Sequence, residues 1–167
     1  MRAQFQAAAE AVGATVKRFA SMADAVSHLR ELAAGSPVGA SRLPADIEAH
    51  CAGIAFAGEQ DYATARLCLS YAWAGIAETG SLLLDLTDPV GRSASALALI
   101  HAVILRESTI ASDIYALLDE LGQLLRENPH TYLSITTGPS RTADIERVLT
   151  IGVHGPKELH ILMVGDN

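Results

Sequence analysis

Three short segments of the sequence combine glycines with side chains that can bind an anion or move a proton. The first is Gly75–Ser81, which contains Glu78, Thr79, Gly80 and Ser81 in succession. A carboxylate and hydroxyls between glycines suit an exposed tight turn, where Glu78 can serve as a general base, as a nucleophile toward an acyl group or as an acceptor for a substrate hydroxyl. A solvated turn residue without a chemical role fits the same spacing.

The second segment follows a predicted strand and is expected to open a helix. Its candidate ligand-binding residues are Gly138, Pro139, Ser140, Arg141, Thr142 and Asp144. Backbone N–H groups at such a turn point out at the carboxyl edge of the sheet, where ligands bind in open α/β folds. Arg141 can hold a carboxylate or a phosphate in a bidentate pair. A well-capped helix with surface charges is the alternative, and neither a P-loop nor a G-x-G-x-x-G fingerprint is present.

The third segment places His154 in a Gly/Pro turn beside Gly155, just before the last predicted strand. A histidine on such a fixed backbone is suited to proton transfer or to hydrogen bonding with an anion. A loop histidine bonded to a neighbouring carbonyl is the alternative. His101 lies in an aliphatic run instead, and we expect it to be a hydrogen-bonded core residue.

The cysteines and histidines do not predict a metal site. Cys51 and Cys68 are the only two cysteines and form no C-x-x-C pattern, so the chain lacks the four thiolates of a usual iron–sulfur cluster or structural zinc. No two histidines have the i, i+3 or i, i+4 spacing of a helical ligand pair. Both cysteines are predicted to be buried thiols.

Composition narrows the class of protein and its partners. The chain has 167 residues, of which 50% are hydrophobic and 19% charged, which predicts one compact domain over residues 1–167. Its formal charge of −7 argues against nucleic acid or an anionic membrane surface as the main partner. No apolar run is long enough to span a bilayer, and the N-terminus lacks a secretory signal pattern, so we expect a cytoplasmic protein.

Alternating strand and helix patterns must position these segments. The predicted strands are Thr15–Phe19, Gly53–Ala57, Ser81–Leu86, Ala96–Leu105, Tyr132–Thr137 and Glu158–Val164. The predicted helices run from a Ser21 cap to Gly35, over Pro44–His50, from Asp61 to about Trp73, over Ser112–Arg126 and from Ser140 through Val148. This order predicts an α/β fold, an open Rossmann-like sheet with flanking helices.

Taken together, the three motif segments resemble the LUD domain of the lactate-utilisation protein C family (LutC/YkgG). The segments are Ala74–Leu82, Ile135–Glu146 and Gly152–His160, in that order. The resemblance covers roughly Ala72–Val164, and the N-terminal half matches only by pattern. Carried over by position, the family motif residues are Glu78, Thr79, Gly80, Gly138, Pro139, Ser140, Thr142, Asp144, His154, Gly155 and Pro156.

The resemblance implies a fold similar to the sugar-phosphate isomerase and CoA-transferase superfamily. It also implies a role in oxidising L-lactate to pyruvate, beside two partner proteins that carry the iron–sulfur clusters, while this chain binds no cofactor itself. The sequence departs from the family at Ser81, where threonine is common. Familiar members also carry a longer N-terminal region, so this chain is expected to be shorter there.

Two functions from different classes follow. In a lactate-oxidising complex, Arg141, Ser140 and backbone N–H groups would hold the carboxylate while Glu78 or His154 takes the hydroxyl proton. In a stand-alone isomerase-like or acyl-transferase-like enzyme, Glu78 would be the base or carry the acyl group, and Gly138–Asp144 would bind a sugar phosphate or CoA phosphate. The expected partners are therefore a small carboxylate or phosphate, iron–sulfur subunits and, from the open sheet, a second copy of the chain.

Overall fold

The structure is a computed structural model that describes residues 1–58, 61, 65–143, 149–151 and 155–166. In this part of the chain the helices are α1 (Arg2–Ala11), α2 (Met22–Ala33), α3 (Ala45–His50), α4 (Pro89–Leu97) and α5 (Leu118–Glu127). The strands are β1 (Thr15–Phe19), β2 (Val38–Ala40), β3 (Leu67–Ile76), β4 (Ser81–Asp85), β5 (Ile100–Arg106), β6 (Ile110–Ala111), β7 (Leu133–Thr136), β8 (Arg141–Ala143), β9 (Leu149–Ile151) and β10 (Glu158–Val164).

A mixed sheet in the order β1-β10-β5-β3-β4-β7 forms the centre of the fold. Strands β1, β10, β5 and β3 are parallel neighbours, and β4 and β7 continue the sheet in antiparallel pairings. The short strands β2 and β6 also pair with β3, while β8 and β9 form a separate ribbon. The predicted α/β class, with an open sheet and flanking helices, is confirmed.

Both faces of the central strands β3, β5 and β10 are buried, which explains their nearly continuous aliphatic sequences. On one face, α2 and α3 cover the sheet, with Leu29 and Ile47 in the same cluster as Ile104 of β5. On the other face, Phe5 of α1 packs in a cluster with Leu105. Burying one such side chain stabilises the fold by about 1.5–3 kcal/mol, so helix packing rather than helix propensity fixes this arrangement.

Local signals set several helix ends. The Ser21 hydroxyl accepts a hydrogen bond from the Asp24 N–H at 3.2 Å, as the predicted cap requires. Asp88 caps α4 by accepting from the N–H groups of Val90 and Gly91, and Pro89 occupies the first helical turn. Helix α5 ends at Glu127, before the predicted stop at Asn128–Pro129.

Four predicted elements are wrong. Residues 67–73 of the helix predicted from Asp61 to Trp73 belong instead to strand β3, because a central strand buried on both faces shows no polar alternation and its Ala and Leu content mimics a helix. Residues 62–64 of that predicted helix lie outside the described residues. The strand predicted at 53–57 is absent apart from one isolated bridge at Phe56, which is 41% exposed.

The other two errors concern the start of β5 and the segment that follows β7. Residues 96 and 97 are the last residues of α4 rather than the first of a strand, and β5 starts at Ile100. The boundary was misplaced because the Ala- and Leu-rich sequence between α4 and β5 contains no polar residue that marks the end of the helix. Residues 141–143 form β8 paired with β9 instead of opening a helix. The rest of that predicted helix, 144–148, lies outside the described residues.

Candidate anion-binding cleft

A cleft of about 300 Å³ lies between α4, β7 and the segment that leads into β10. We call it the α4–β7 cleft. Its polar lining consists of Arg92, Ser95, His101, Tyr132, Ser134, Thr136 and Ser140. Gly138, Pro139, Gly155 and Pro156 form part of its wall. The volume is at the lower end of the range for small-molecule sites.

The cleft is electropositive by composition. Among the described residues that line it, Arg92 carries a positive charge and none is Asp or Glu. The whole chain, by contrast, has a formal charge of −7. A guanidinium that shares a cleft lining with hydroxyl groups is suited to binding a carboxylate or a phosphate.

Arg92 is held in place by two contacts. Its Nη1 donates a hydrogen bond to the Leu86 carbonyl at 3.0 Å, and its guanidinium carbon lies 4.9 Å from the centre of the Tyr132 ring. Guanidinium has five N–H donors, and in the described part of the chain this is its one hydrogen bond. The remaining donors are available for a ligand, on a side chain already oriented before binding.

His101 lines the same cleft at the start of β5. Its side chain is buried, with 3% of the residue exposed, and Nε2 lies 2.9 Å from the Ser70 hydroxyl. Burial lowers the pKa of His101 to about 4, because a charged imidazole would lose its hydration. The ring is therefore neutral at pH 7 and is positioned by a serine that is itself buried. The prediction of a hydrogen-bonded core histidine is confirmed.

The second and third motif segments meet at the cleft. The Ser140 N–H donates to the Pro156 carbonyl at 2.9 Å. A Cβ atom on Gly155 would lie 2.9 Å from the Ser140 Cβ, so only glycine permits this approach. Four predicted ligand-binding residues, Gly138, Pro139, Ser140 and Gly155, thus share one wall of the cleft.

Two motif glycines, Gly80 and Gly138, lie directly against helix α1 and the residue that follows it. A Cβ on Gly80 would lie 2.2 Å from the Ala9 nitrogen, and one on Gly138 would lie 2.5 Å from the Val12 carbonyl oxygen. Both residues have positive φ, which glycine adopts without strain. Arg141, the predicted carboxylate clamp, donates a hydrogen bond to the same Val12 carbonyl and is not among the residues that line the cleft.

The first motif segment lies beside the cleft rather than in it. Glu78 is exposed, its N–H donates to the Ser112 carbonyl at 2.9 Å, and it does not line the cleft. The buried Ser81 hydroxyl lies 2.7 Å from both the Thr79 and the Thr137 hydroxyls. This chain of three hydroxyls connects the Glu78 turn to Thr137, the residue that directly precedes the cleft wall.

The expected location at the carboxyl edge of the sheet is wrong for the parallel strands. The turn after β7 contacts Val12 and Pro156, which precede the amino ends of β1 and β10, and His101 lies near the amino end of β5. Strand β7 is antiparallel to β4, which is itself antiparallel to β3, so β7 runs in the same direction as the parallel strands and strand direction does not account for this location.

The roles expected for His154, Asp144 and Thr142 remain predictions from the sequence. His154 and Asp144 lie outside the described residues. The backbone of Thr142 belongs to β8, where it pairs with Thr150. Across the described residues no group of three His, Cys, Asp or Glu side chains is arranged to hold a metal ion. The Cys68 thiol is buried, and burial raises its pKa to about 12.

Arg92 is the main residue that sequence reasoning missed. The signal was present: Asp88–Pro89 is a typical helix start, and it places Arg92 in the first turns of a helix beside the β7 turn. Thr137 was missed too, although it directly precedes Gly138 in the motif.

In this α/β sheet, a glycine-rich turn and the segment before the last strand meet at a small cleft. Together these features define a class of protein domain. The LUD domain family model matches residues 55–164, and the chain belongs to this family. The resemblance seen in the sequence is therefore confirmed.

The chain is similar to YkgG of Escherichia coli K12, with 36% identity over 104 residues that cover 61% of this chain and 45% of the relative. It is also similar to the lactate utilization protein C of Macrococcus caseolyticus, 33% identical over 104 residues and the same shares of both chains. The protein of that name in Deinococcus radiodurans is 38% identical over 92 residues, 54% of this chain and 42% of the relative. The match thus spans less than half of each relative's length.

A solved structure supports the fold over nearly the whole chain. The crystal structure of a DUF162 family protein from Deinococcus radiodurans superposes with a TM-score of 0.70 and covers 98% of this chain and 96% of that one, at 19% identity. At that identity the likeness concerns the fold alone. Among the described residues, no helix is both long and apolar enough to cross a membrane.

Proposed function

We propose that this chain works in lactate utilisation, as a cluster-free cytoplasmic subunit of a system that oxidises L-lactate to pyruvate, and that the α4–β7 cleft holds the small carboxylate. The observation that carries the proposal is the lining of the cleft: one pre-oriented guanidinium, several hydroxyls and a neutral imidazole, with no carboxylate among its described residues, in an acidic protein. The relatives named lactate utilization protein C support the choice of lactate as the carboxylate.

Arg92 is the anion clamp in this proposal. Its N–H donors that do not bond Leu86 would bind the two carboxylate oxygens of lactate, and Ser140, which also lines the cleft, would lie beside the bound ligand. Arg92 thereby takes the role that the sequence suggested for Arg141, whose guanidinium bonds the Val12 carbonyl.

His101 would contact the 2-hydroxyl group. A neutral imidazole held by Ser70 can accept a hydrogen bond from that hydroxyl, and it keeps this state down to about pH 5 because burial lowers its pKa to about 4. Conversion of lactate to pyruvate releases two electrons and two protons. The electrons would pass to iron–sulfur clusters on partner proteins, and His154, next to the cleft residue Gly155, stays a predicted proton acceptor.

Titration calorimetry tests the carboxylate site. L-lactate, pyruvate, propionate and inorganic phosphate would be titrated into the wild-type protein, Arg92→Gln and the control Arg126→Gln, whose exposed arginine lies on α5 outside the cleft. Losing charge-assisted hydrogen bonds worth about 1.5–3 kcal/mol should weaken lactate binding at least about tenfold in Arg92→Gln alone.

Each outcome of the titration has a distinct meaning. Equal lactate affinity in wild type and Arg92→Gln would remove the cleft from the proposal. Tighter binding of inorganic phosphate than of any carboxylate would instead favour the stand-alone isomerase-like or acyl-transferase-like function, because the same guanidinium and hydroxyls suit a phosphate group.

A further inference from the structure

Helix α5 exposes most of its apolar side. Leu118, Leu121 and Leu125 share one side of the helix by their spacing of three and four residues. No residue of α5 is buried, and Leu118 and Leu125 remain 53% and 45% exposed. An amphipathic helix whose leucines are exposed to water is unusual on a surface that binds no partner, because burying these side chains would be favourable.

Strand β7 extends this apolar side. Leu121 and Leu133 pack against the same small core cluster under α5. Ile135, two residues further along β7, points to the same face as Leu133 and is 56% exposed. We name Leu118, Leu121, Leu125, Leu133 and Ile135 the α5–β7 surface. Strand β7 is also the last strand of the sheet in the described part of the chain, so the surface continues to an open edge.

The rim of the α5–β7 surface is acidic. Between Ser112 and Asn128 the chain carries four carboxylates, Asp113, Asp119, Glu120 and Glu127, and one cation, Arg126. The three carboxylates on α5 are exposed. Two copies of this surface brought face to face would oppose like charges, whereas a partner with Lys or Arg around an apolar centre would be attracted.

We propose that the α5–β7 surface docks a partner protein that presents apolar side chains flanked by Lys and Arg. This inference rests on the proposed function for the identity of that partner, an iron–sulfur protein of the lactate-oxidising system. Side chains alternate along a strand, so Ser134 and Thr136 face the cleft while Leu133 and Ile135 face the partner. Docking on this side leaves the cleft on the other side of β7 open to its ligand.

Surface plasmon resonance with the two purified iron–sulfur proteins of the same organism's lactate system tests the docking site. Leu118→Glu/Leu125→Glu should weaken binding more than tenfold. The control Leu97→Glu/Leu99→Glu changes the same residue type and charge at another exposed site, 59% and 37% exposed, and should bind within twofold of wild type. Asp119→Lys/Glu120→Lys should slow association and reduce its dependence on salt. Circular dichroism would verify that each variant is folded.

The outcomes separate this inference from the proposed function. Unchanged binding by Leu118→Glu/Leu125→Glu would overturn the docking site while leaving the lactate-oxidising complex in place. Absence of binding by the wild type would overturn both the docking site and the complex, and the calorimetric lactate affinity would still report on the cleft by itself. A dimer in light scattering that Leu118→Glu/Leu125→Glu dissociates would also overturn the inference, in favour of a second copy as the occupant.

Discussion

Acidification should weaken the fold through His101, the imidazole at the base of the cleft. Burial lowers its pKa from 6.5 to about 4, so the folded protein resists protonation that the unfolded chain accepts. The neutral ring therefore contributes stability that is fully present above pH 6.5 and is lost as the pH falls toward 4. The difference between these two pKa values corresponds to about 3 kcal/mol of unfolding free energy, at about 1.4 kcal/mol per pKa unit. About 2 kcal/mol of this stability should be lost at pH 5.

Urea denaturation at pH 7 and pH 5, at constant ionic strength, measures this loss. His101→Gln lacks the titrating ring but keeps an amide that can hydrogen-bond to Ser70. The free energy of unfolding should fall by about 2 kcal/mol more in the wild type than in His101→Gln over this range. His130→Gln, at an exposed position, serves as the control and should behave like the wild type. An equal fall in wild type and His101→Gln would refute the reasoning.

Three further changes test contacts outside the cleft lining. Gly80→Ala should cost at least about 2 kcal/mol of unfolding free energy, because its Cβ would overlap the backbone of α1, whereas Gly35→Ala, also at positive φ but in open space, should cost only about 1 kcal/mol. Arg141→Gln should lower stability by about 1 kcal/mol but leave lactate affinity within twofold of wild type, since its guanidinium bonds a main-chain carbonyl outside the cleft. Glu107→Gln should cost about 1–2 kcal/mol, because its buried carboxylate bridges two arginines.

Chemical denaturation and calorimetry check these values. Equal costs for the two glycine substitutions would show that α1 does not pack on the Gly80 turn. Loss of lactate binding in Arg141→Gln would return the carboxylate clamp to the position that the sequence suggested. A Glu107→Gln protein as stable as the wild type would mean that the bridge between the arginines contributes nothing to the fold.

The sequence predicted the class of the fold and the segments that form the cleft wall. Strand Glu158–Val164 and the helix cap at Ser21 were predicted correctly because each depends on a local sequence pattern. Strand β3 was not legible, because its Leu67–Ile76 sequence is buried on both faces and so lacks the alternation that marks a strand. Only its neighbours in the sheet decide its conformation.

The site was predicted in part for a similar reason. Ser140 and Gly155 stood out by composition, and both line the cleft. The roles of Gly80 and Arg141, however, depend on α1, which lies outside the three motif segments and whose contacts with them arise from tertiary packing. For Arg92, the Asp88–Pro89 helix start predicts only a place early in a helix, and its importance for the cleft follows from where α4 packs.

A crystal structure of the protein with bound L-lactate tests the central claim most directly. The account predicts the lactate carboxylate at the Arg92 guanidinium, with the 2-hydroxyl toward His101 and the Ser140 wall within hydrogen-bond distance. Lactate bound at the Glu78 turn or at Arg141, with the α4–β7 cleft empty at saturating ligand, would contradict it.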